Sequence, residues 1–532
     1  SIDRISKHGT GYTLSLADGR AIETDLVVHG AGRIADIDSL NLEAAAIEFT
    51  RQGIVVDGYM TTSAPHVYAV GDAAATIQLA RVADREAQVA AATIVAREEG
   101  LELPEPIDYR PVPAVLFSYP QLGMVGQTEA EFASAINTVC SNDRASIVID
   151  DILFLNESNY QDDLISQAAS QCVQQGIPYF TAAGNEGDQA LRQTYRDSDP
   201  GSNDNGGNLS TVDLHDWDSG PGTDRFMAFT LPANSSLYVL LEWNQPNDSI
   251  SPNRGAQIDL NLYATSSTDI GQFAADQNIV ARGTNVQGDT GAPQGDAQEF
   301  IQVFNTNNAA QTFYLLVEHR KGSRSTIPQS SSTPLEFRVL FIDGRLNALE
   351  YSSTAPATWG HVLAANIFSV AAIPWWEAPD FAPQSFTTPD MDPEPFTSRG
   401  GSVPVQFNTR GDFIAQSRQT PSFSASDGNN TSFFGSPSSG SQPTLDGEPD
   451  AFPNFFGTSA ASANAAAVAA LVREKDASLT PAALGKILSD TAVDITGLRA
   501  GTGWDTVSGA GMLNALQAAN QATPAPPAGD NG

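Results

Sequence analysis

A run of small residues behind a glycine turn constrains the fold of this chain more than any other stretch. Residues Phe456–Ala461 read Phe-Gly-Thr-Ser-Ala-Ala and lead into the alanine-rich segment Ala465–Val472. This pattern predicts a helix that begins at the turn and packs closely against the layer beneath it. Ser459 would lie in the first helical turn, where free N–H groups favour negative charge. Such a position suits a nucleophile that generates an oxyanion, and it equally suits an ordinary capping serine.

The acidic composition of the chain limits its partners. Its 532 residues include 27 Lys and Arg against 62 Asp and Glu, which gives a net charge of −35. Such a surface repels phosphate backbones, so we expect no nucleic-acid partner. No apolar run approaches the ~20 residues that a membrane-spanning helix needs, so we expect no membrane span. The length alone predicts about three or four domains.

The two cysteines, Cys140 and Cys172, give no recognisable motif. Their separation fits neither a redox Cys-x-x-Cys nor a zinc site, and two cysteines are too few for a disulfide framework. Both fall in predicted helices, so we expect buried free thiols. The sequence predicts no metal site at these residues.

Residues 1–131 begin with strand-like alternation and later contain a strand that ends in a Gly-Asp turn. The run Thr62–Asp72 reads Thr-x-x-Pro-x-x-Tyr-Ala-x-Gly-Asp and resembles the second flavin motif of the pyridine nucleotide–disulfide reductases. The resemblance implies that Gly71 and Asp72 contact FAD. The alternative is a plain strand–turn with a capping aspartate.

Other parts of that reductase family are not found in this sequence. Residues 1–33 hold no Gly-x-Gly-x-x-Gly loop to cradle a pyrophosphate, and neither cysteine lies in residues 1–131. We therefore predict a partial, cytoplasmic-type reductase segment of α+β structure that retains no FAD. An FAD-dependent oxidoreductase fragment stays open as an alternative function.

After residue 131 apolar strands alternate with amphipathic helices. This rhythm predicts a parallel sheet with crossover helices and an active face at the carboxyl ends of the strands. The predicted elements are the helices Phe132–Cys140 and Asp162–Gln175 and the strands Ser146–Leu155 and Gly176–Ala183.

Residues 206–345 have a different sequence pattern, in which short apolar runs are separated by polar loops rich in Gly, Asn, Ser and Pro. This pattern predicts an all-β sandwich inserted into the α/β part. Asp259 and Asp289 are candidate calcium ligands, and the alternative is that they are solvated turn residues. The predicted apolar runs are Phe226–Leu231, Ser236–Trp243, Ile258–Tyr263, Glu299–Phe304, Phe313–His319 and Leu335–Ile342.

Several short runs resemble, in the same order along the chain, the later part of a subtilisin-like serine peptidase. The resemblance implies an α/β fold with a subtilisin-like parallel sheet and helices, and a secreted or periplasmic endopeptidase that cleaves polypeptides through an acyl-enzyme. The predicted domains are 1–131, the core 132–205 with 346–522, the insert 206–345 and a disordered tail 523–532. The matching runs are Ala183–Gly187, Gly360-His361 with Ala371-Ala372, Pro395–Gly401, Gly457–Ala461 and Ser508–Gly511.

The same resemblance assigns roles to individual residues. Ser459 would be the acylating nucleophile, and Asn185 would donate its side-chain amide to the oxyanion. The segment Asp151, Ile152 and Leu153 would bind the substrate backbone as an added strand.

A serine hydroxyl is a poor nucleophile without a base. In subtilisin-like enzymes the aspartate and histidine precede the asparagine, where this chain has reductase-like sequence instead. No histidine of this chain lies in a sequence context that matches the catalytic histidine of these enzymes. His361 matches a position that has a structural role in the family. We therefore predict a chimaera whose peptidase part lacks its Asp and His and is inactive as it stands. A non-catalytic binding protein that uses the sandwich is a further alternative.

Overall fold

The computed structural model of the protein divides into two units, Ser1–Gly126 and Gln127–Gly532. None of the helices in the described part of the chain has both the length and the apolar surface that crossing a membrane requires. The described residues are 2–8, 11–16, 20–24, 35–76, 80–101, 103–104, 106–107, 114–116, 122–124, 128–141, 145–199, 212–288, 295–320, 334–351, 353–377, 391–431, 453–497 and 499–522.

The first unit contains short antiparallel strands and one long helix. The predicted strand-like alternation is confirmed, since β1, β2 and β3 pair in that order as antiparallel strands. A 3₁₀ turn, Gly71–Ala73, packs near a small cluster built on Ile54 and Ala74. The elements are β1 (Ile2–His8), β2 (Gly11–Leu16), β3 (Ala21–Thr24), β4 (Phe49–Thr50), β5 (Gly53–Ile54), α1 (Ala80–Glu99), β6 (Ala114–Leu116) and β7 (Leu122–Met124).

The second unit combines α/β and antiparallel β structure. Its helices and strands are α2 (Glu129–Ser141), β8 (Val148–Asp150), α3 (Leu164–Gln174), β9 (Tyr179–Ala182), β10 (Ala190–Thr194), β11 (Val212–Leu214), β12 (Met227–Leu231), β13 (Ser235–Trp243), β14 (Asp259–Thr265), α4 (Ile270–Ala274), β15 (Ile279–Gly283), β16 (Gln298–Asn305), β17 (Gln311–Arg320), β18 (Glu336–Ile342), β19 (Ala348–Leu349), β20 (Phe368–Pro374), β21 (Gly401–Phe407), β22 (Phe413–Thr420), β23 (Phe423–Asp427), β24 (Asn429–Asn430), β25 (Asn454–Phe455), α5 (Thr458–Lys475), α6 (Pro481–Asp490) and α7 (Ala515–Gln521).

A parallel sheet of order β23-β20-β9-β8 lies between two helical layers. Phe180 of β9 faces the cluster that contains α5, and its neighbour Tyr179 faces the cluster of α2 and α3. Alternating residues of a strand point to opposite faces, so one strand supplies both cores. The alanines Ala461, Ala465 and Ala469 are fully buried against the sheet. The predicted close packing of the serine helix follows from these small side chains.

The prediction of a long strand at Ser146–Leu155 is partly wrong. Only Val148–Asp150 is a strand, and Asp151–Leu155 continues as irregular chain. Among the described strands β8 pairs only with β9, which ends at Ala182. Without a partner for its ladder the chain leaves the sheet. Asp151, Ile152 and Leu153 therefore follow the carboxyl end of the sheet instead of extending it.

The prediction of free thiols is wrong. Cys140 of α2 and Cys172 of α3 form a disulfide with a Cα–Cα distance of 5.4 Å. The two helices pack side by side under the sheet, which brings cysteines 32 residues apart into contact. Sequence spacing carries no trace of this pairing because the contact is tertiary.

Two antiparallel sheets occupy the middle of the second unit, with orders β10-β18-β13-β16 and β15-β14-β17-β12-β19. The predicted strands in this region are confirmed as β12, β13, β14, β16, β17 and β18. Aromatic and aliphatic side chains of both sheets, including Trp243, Phe229 and Phe337, form one buried cluster. The strand β10 precedes residue 206 and nevertheless pairs with β18.

Candidate active site

Gly457 forms the turn that precedes the serine helix. Its φ of 136° lies in the region that favours glycine, and α5 begins at Thr458. Ser459 is half-buried and is the second residue of the helix, where backbone N–H groups have no acceptor within the helix. The helix dipole and these free N–H groups stabilise negative charge beside the hydroxyl.

Asn185 is held against the start of this helix. It follows β9 through Gly184, whose φ is 104° and whose N–H donates to Thr458 Oγ1 over 3.1 Å. The N–H and the hydroxyl of Thr458 both donate to Asn185 Oδ1, each over 3.0 Å. The oxygen end of the Asn185 amide is therefore used within the protein. Its NH₂ end, on an exposed side chain, is left to donate to a ligand.

Asp427 fixes the other side of the turn. This fully buried carboxylate at the end of β23 accepts the Gly457 N–H over 2.9 Å. Burial raises the pKa of Asp427 to about 7, although the bond from Gly457 lowers it. The serine turn is thus anchored by Asp427 on the backbone before the helix and by Asn185 on its first residue.

Asp150 and Asp151 follow each other at the end of β8 and face different surroundings. Asp150 is buried, and its carboxylate accepts from the hydroxyls of Tyr179 and Thr181. Asp151 is exposed on one side and faces Ser459. Burial of the carboxyl raises the pKa of Asp151, the charge of Asp150 raises it further, and a side-chain hydrogen bond with Ser459 lowers it.

His361 lies at the centre of a buried charged network. Its Nδ1 is 2.7 Å from Glu157 Oε2, and its Nε2 is 3.0 Å from Asp150 Oδ1. Burial by itself lowers the pKa of His361, but the carboxylates of Glu157 and Asp150 raise it well above its ordinary value. An imidazole with both nitrogens bound in this way is a charged structural element.

The other two histidines of this unit lie among the antiparallel strands. The His215 Nδ1 accepts the N–H of Arg196 over 3.0 Å, and His319 lies in β17 with its ring against Tyr195. Within the described part of the second unit, no imidazole is hydrogen-bonded to Ser459. That the peptidase part lacks its Asp and His stays a prediction.

The predicted substrate segment is anchored by its side chains. Ile152 is half-buried against the core of α2 and α3, and Leu153 packs beside Trp359. Both side chains point into the protein, so a ligand at this segment would meet its backbone and the Asp151 carboxylate. The role of the segment in binding a substrate stays a prediction.

A family model with the description "Subtilase family" matches residues 155–511, which is more than half of the chain. The chain belongs to the subtilase family. The matched region contains Asn185 and Ser459, and it begins just after the segment Asp151–Leu153.

A second family model, of the pyridine nucleotide-disulphide oxidoreductases, matches residues 1–87 of this subtilase. The mycothione reductase of Mycobacterium tuberculosis is 36% identical over 123 residues, 23% of the subtilase and 27% of the reductase. A dihydrolipoyl dehydrogenase of Bacillus subtilis is 39% identical over 113 residues, 21% and 23% of the two chains. The chain thus spans about a quarter of the length of these curated relatives. The predicted chimaera of a reductase-like segment and a subtilase is confirmed.

Several solved structures match this chain with low TM-scores. The S41 psychrophilic protease and sphericase each match 73% of the subtilase and 64% of their own chains, at 14% identity and a TM-score of 0.29. The structure of LpdA from Mycobacterium tuberculosis matches 25% of the subtilase and 28% of its own chain, at 24% identity and a TM-score of 0.21.

The predicted FAD contacts lie in the first unit of the subtilase. The N–H of Gly71, whose φ is 64°, donates to the buried carboxylate of Glu86 over 2.6 Å. Asp72 is exposed. The Gly71 N–H is therefore already bound within the protein. That this segment retains no FAD stays a prediction.

No metal centre emerges within the part of the subtilase that the structure describes, where no group of three or more His, Cys, Asp or Glu residues has the arrangement to hold an ion. The candidate calcium ligand Asp259 is buried in β14, and its Oδ2 lies 3.8 Å from Nη1 of Arg320. Asp289 lies outside the described residues.

Sequence reasoning missed several groups around the subtilase site. The network of Glu157, His361 and Asp150 joins residues about 200 positions apart, and no sequence spacing marks it. The adjacent pair Asp150-Asp151 after an apolar strand was a usable signal, because consecutive side chains of an extended chain point to opposite faces and so enter different surroundings. Asp427 had no such signal.

Proposed function

We propose that the subtilase unit forms an acyl-enzyme on polypeptide substrates, with Ser459 as the nucleophile. The observation that carries the proposal is the bond from Thr458 to Asn185, which joins an amide donor to the start of the serine helix. An oxyanion formed at Ser459 would meet the Asn185 NH₂ group and the N–H groups of the first turn of α5. The substrate backbone would lie along Asp151–Leu153.

Turnover should be slow compared with an enzyme that has an imidazole at its serine. The contacts of Ser459 support this expectation, since they include no histidine among the described residues. A hydroxyl assisted only by a carboxylate and an oxyanion site retains part of the catalytic effect, because oxyanion donors act independently of the base.

We further propose that residues 206–345 form an inserted β-sandwich and that residues 132–205 and 346–522 form the peptidase core. The two antiparallel sheets with one shared cluster support the first part. We also propose export to a secreted or periplasmic location, since the Cys140–Cys172 disulfide is of a kind that persists in oxidising compartments.

The test is covalent labelling of the full chain with a fluorophosphonate probe, read by mass spectrometry of the peptide that contains Ser459. We expect labelling of the wild type and none of Ser459→Ala. Asn185→Asp keeps an oxygen for Thr458 but removes the NH₂ donor, and should slow labelling ~10²–10³-fold. Asn514→Asp, at the N-cap of α7, is the matched control and should label at the wild-type rate. A wild type that does not label at all would refute the proposed function.

A further inference from the structure

We propose that Asp151 is the proton acceptor and proton donor for Ser459, so that the site works as a serine–aspartate pair. This inference rests on the proposed function and names a base for Ser459, a role for which the sequence offers no histidine. Asp151 is also a predicted substrate-binding residue, and its backbone can serve that role while the carboxylate acts on the hydroxyl.

The Asp151 side chain follows the end of β8, which lies beside the start of α5. Asp150, the last residue of β8, points its carboxylate into the buried network with His361. The next side chain along an extended chain points the opposite way, and that side chain belongs to Asp151. The hydroxyl of Ser462, one helical turn after Ser459, donates to the Asp150 carbonyl over 3.5 Å, so the start of α5 lies beside the end of β8, and Asp151 is exposed to solvent. A carboxylate beside the reacting oxygen and open to solvent can exchange protons with both.

The other titratable side chains near the serine turn are occupied. His361 has both ring nitrogens bound by carboxylates and is fully buried. Asp427 accepts the Gly457 N–H, and Glu186 accepts the hydroxyl of Ser398 over 2.7 Å. Each of these groups holds backbone or side chains in place, whereas the Asp151 carboxyl lies beside the start of α5 and is open to solvent.

The surroundings of Asp151 make it a stronger base than an exposed aspartate. Its pKa is raised by burial and by the neighbouring charge of Asp150, and a general base becomes more effective as its pKa approaches the working pH. Asp150 is the charged group that faces it from its own strand, and Ser459 is the polar group that faces it from α5.

The reaction balances with these two residues and water. Asp151 takes the Ser459 proton as Oγ attacks the scissile carbonyl carbon, and the carbonyl oxygen becomes the oxyanion. When the C–N bond breaks, the proton passes from Asp151 to the leaving amine, which leaves an ester on Ser459. Water then attacks the ester and gives a proton to Asp151. The ester C–O bond breaks to release the acid product, and that proton returns to Ser459.

The test measures the rate of fluorophosphonate labelling at Ser459 in the full chain from about pH 4 to pH 9. We expect Asp151→Asn to slow labelling ~10²-fold or more, because general-base assistance is worth ~10²–10⁴-fold. The rise of rate with pH that follows ionisation of one carboxyl group should disappear in this variant. Asp151→Glu should keep part of both effects. Asp490→Asn, which removes an exposed carboxylate of α6, is the matched control and should label like the wild type.

The outcomes separate this inference from the function on which it rests. Labelling of Asp151→Asn within about twofold of the wild type, with the same pH profile, would overturn the role of Asp151 and leave Ser459 as the nucleophile. Absence of labelling in the wild type would overturn both. If Asp151→Asn does not fold, as judged by tryptophan fluorescence, then the wild-type pH profile and Asp151→Glu decide. A wild-type rate that is flat across the acid range would reject the proposal.

Discussion

Replacement of His361 by glutamine should strongly destabilise the second unit. The imidazole is fully buried and bonds to Glu157 and Asp150 over 2.7 and 3.0 Å. Removal of the central cation leaves two buried carboxylates without their partner, and breaking a buried ion pair from one side costs ~3–5 kcal/mol. The free energy of unfolding near pH 8 should fall by about that amount. Because the carboxylates raise the pKa of His361 in the folded state, the stabilisation by this imidazole is fully present at pH 5 and shrinks as the pH rises, so the loss should be larger at pH 5 than at pH 8.

The assay is urea unfolding followed by tryptophan fluorescence. All six tryptophans lie between residues 217 and 504, so the signal reports the second unit alone. His215→Gln is the matched control, because burial lowers the pKa of His215 to about 3 and its imidazole is neutral. At pH 5 only the unfolded chain binds a proton at His215, which destabilises the wild type, so the cost of His215→Gln should be smaller at pH 5 than at pH 8, opposite to His361→Gln. A His361→Gln cost below about 1 kcal/mol, equal at both pH values, would refute the idea of a charged imidazole between carboxylates.

Three further predictions follow from the described residues. The denatured, unreduced protein should show no thiol reactivity towards a thiol reagent, and Cys140→Ser should lower the free energy of unfolding by ~2–4 kcal/mol; two reactive thiols would contradict the disulfide. The purified protein should show no visible flavin absorbance after incubation with FAD and gel filtration, because the Gly71 N–H is bound to Glu86; a yellow protein would contradict this. Burial raises the pKa of Asp163 to about 7 and of Glu129 to about 8. At pH values above the ordinary pKa of these carboxyl groups, the folded state therefore binds more protons than the unfolded state. The free energy of unfolding should therefore fall as pH rises from 5 to 8, and a urea midpoint that rises would contradict the sign.

Local pattern predicted the elements that carry the candidate site. The glycine turn and the run of small residues located the helix of Ser459, and a short apolar run located the strand before Asn185. The family motifs identified the subtilase region and the reductase-like segment, since each motif is short and continuous along the chain.

The local sequence pattern did not predict where β8 ends. An apolar run predicts extended chain as far as Leu155, but a strand needs a neighbour to accept its hydrogen bonds, and β9 ends at Ala182. The same holds for the cysteines. Cys140 and Cys172 meet because α2 packs on α3, and the apolar faces of two helices do not specify which residues face each other.

The sequence by itself determined the order of strands and helices, the serine at a helix start and the asparagine after a strand, because local periodicity and turn residues encode them. Only the tertiary structure decided which groups meet at that serine. Parallel strands bring Asn185 and Asp151 to the same edge of the sheet as the start of α5, and they enclose His361 between Asp150 and Glu157. These contacts join residues up to about 300 positions apart, and their geometry depends on sheet order and packing, which no local pattern records.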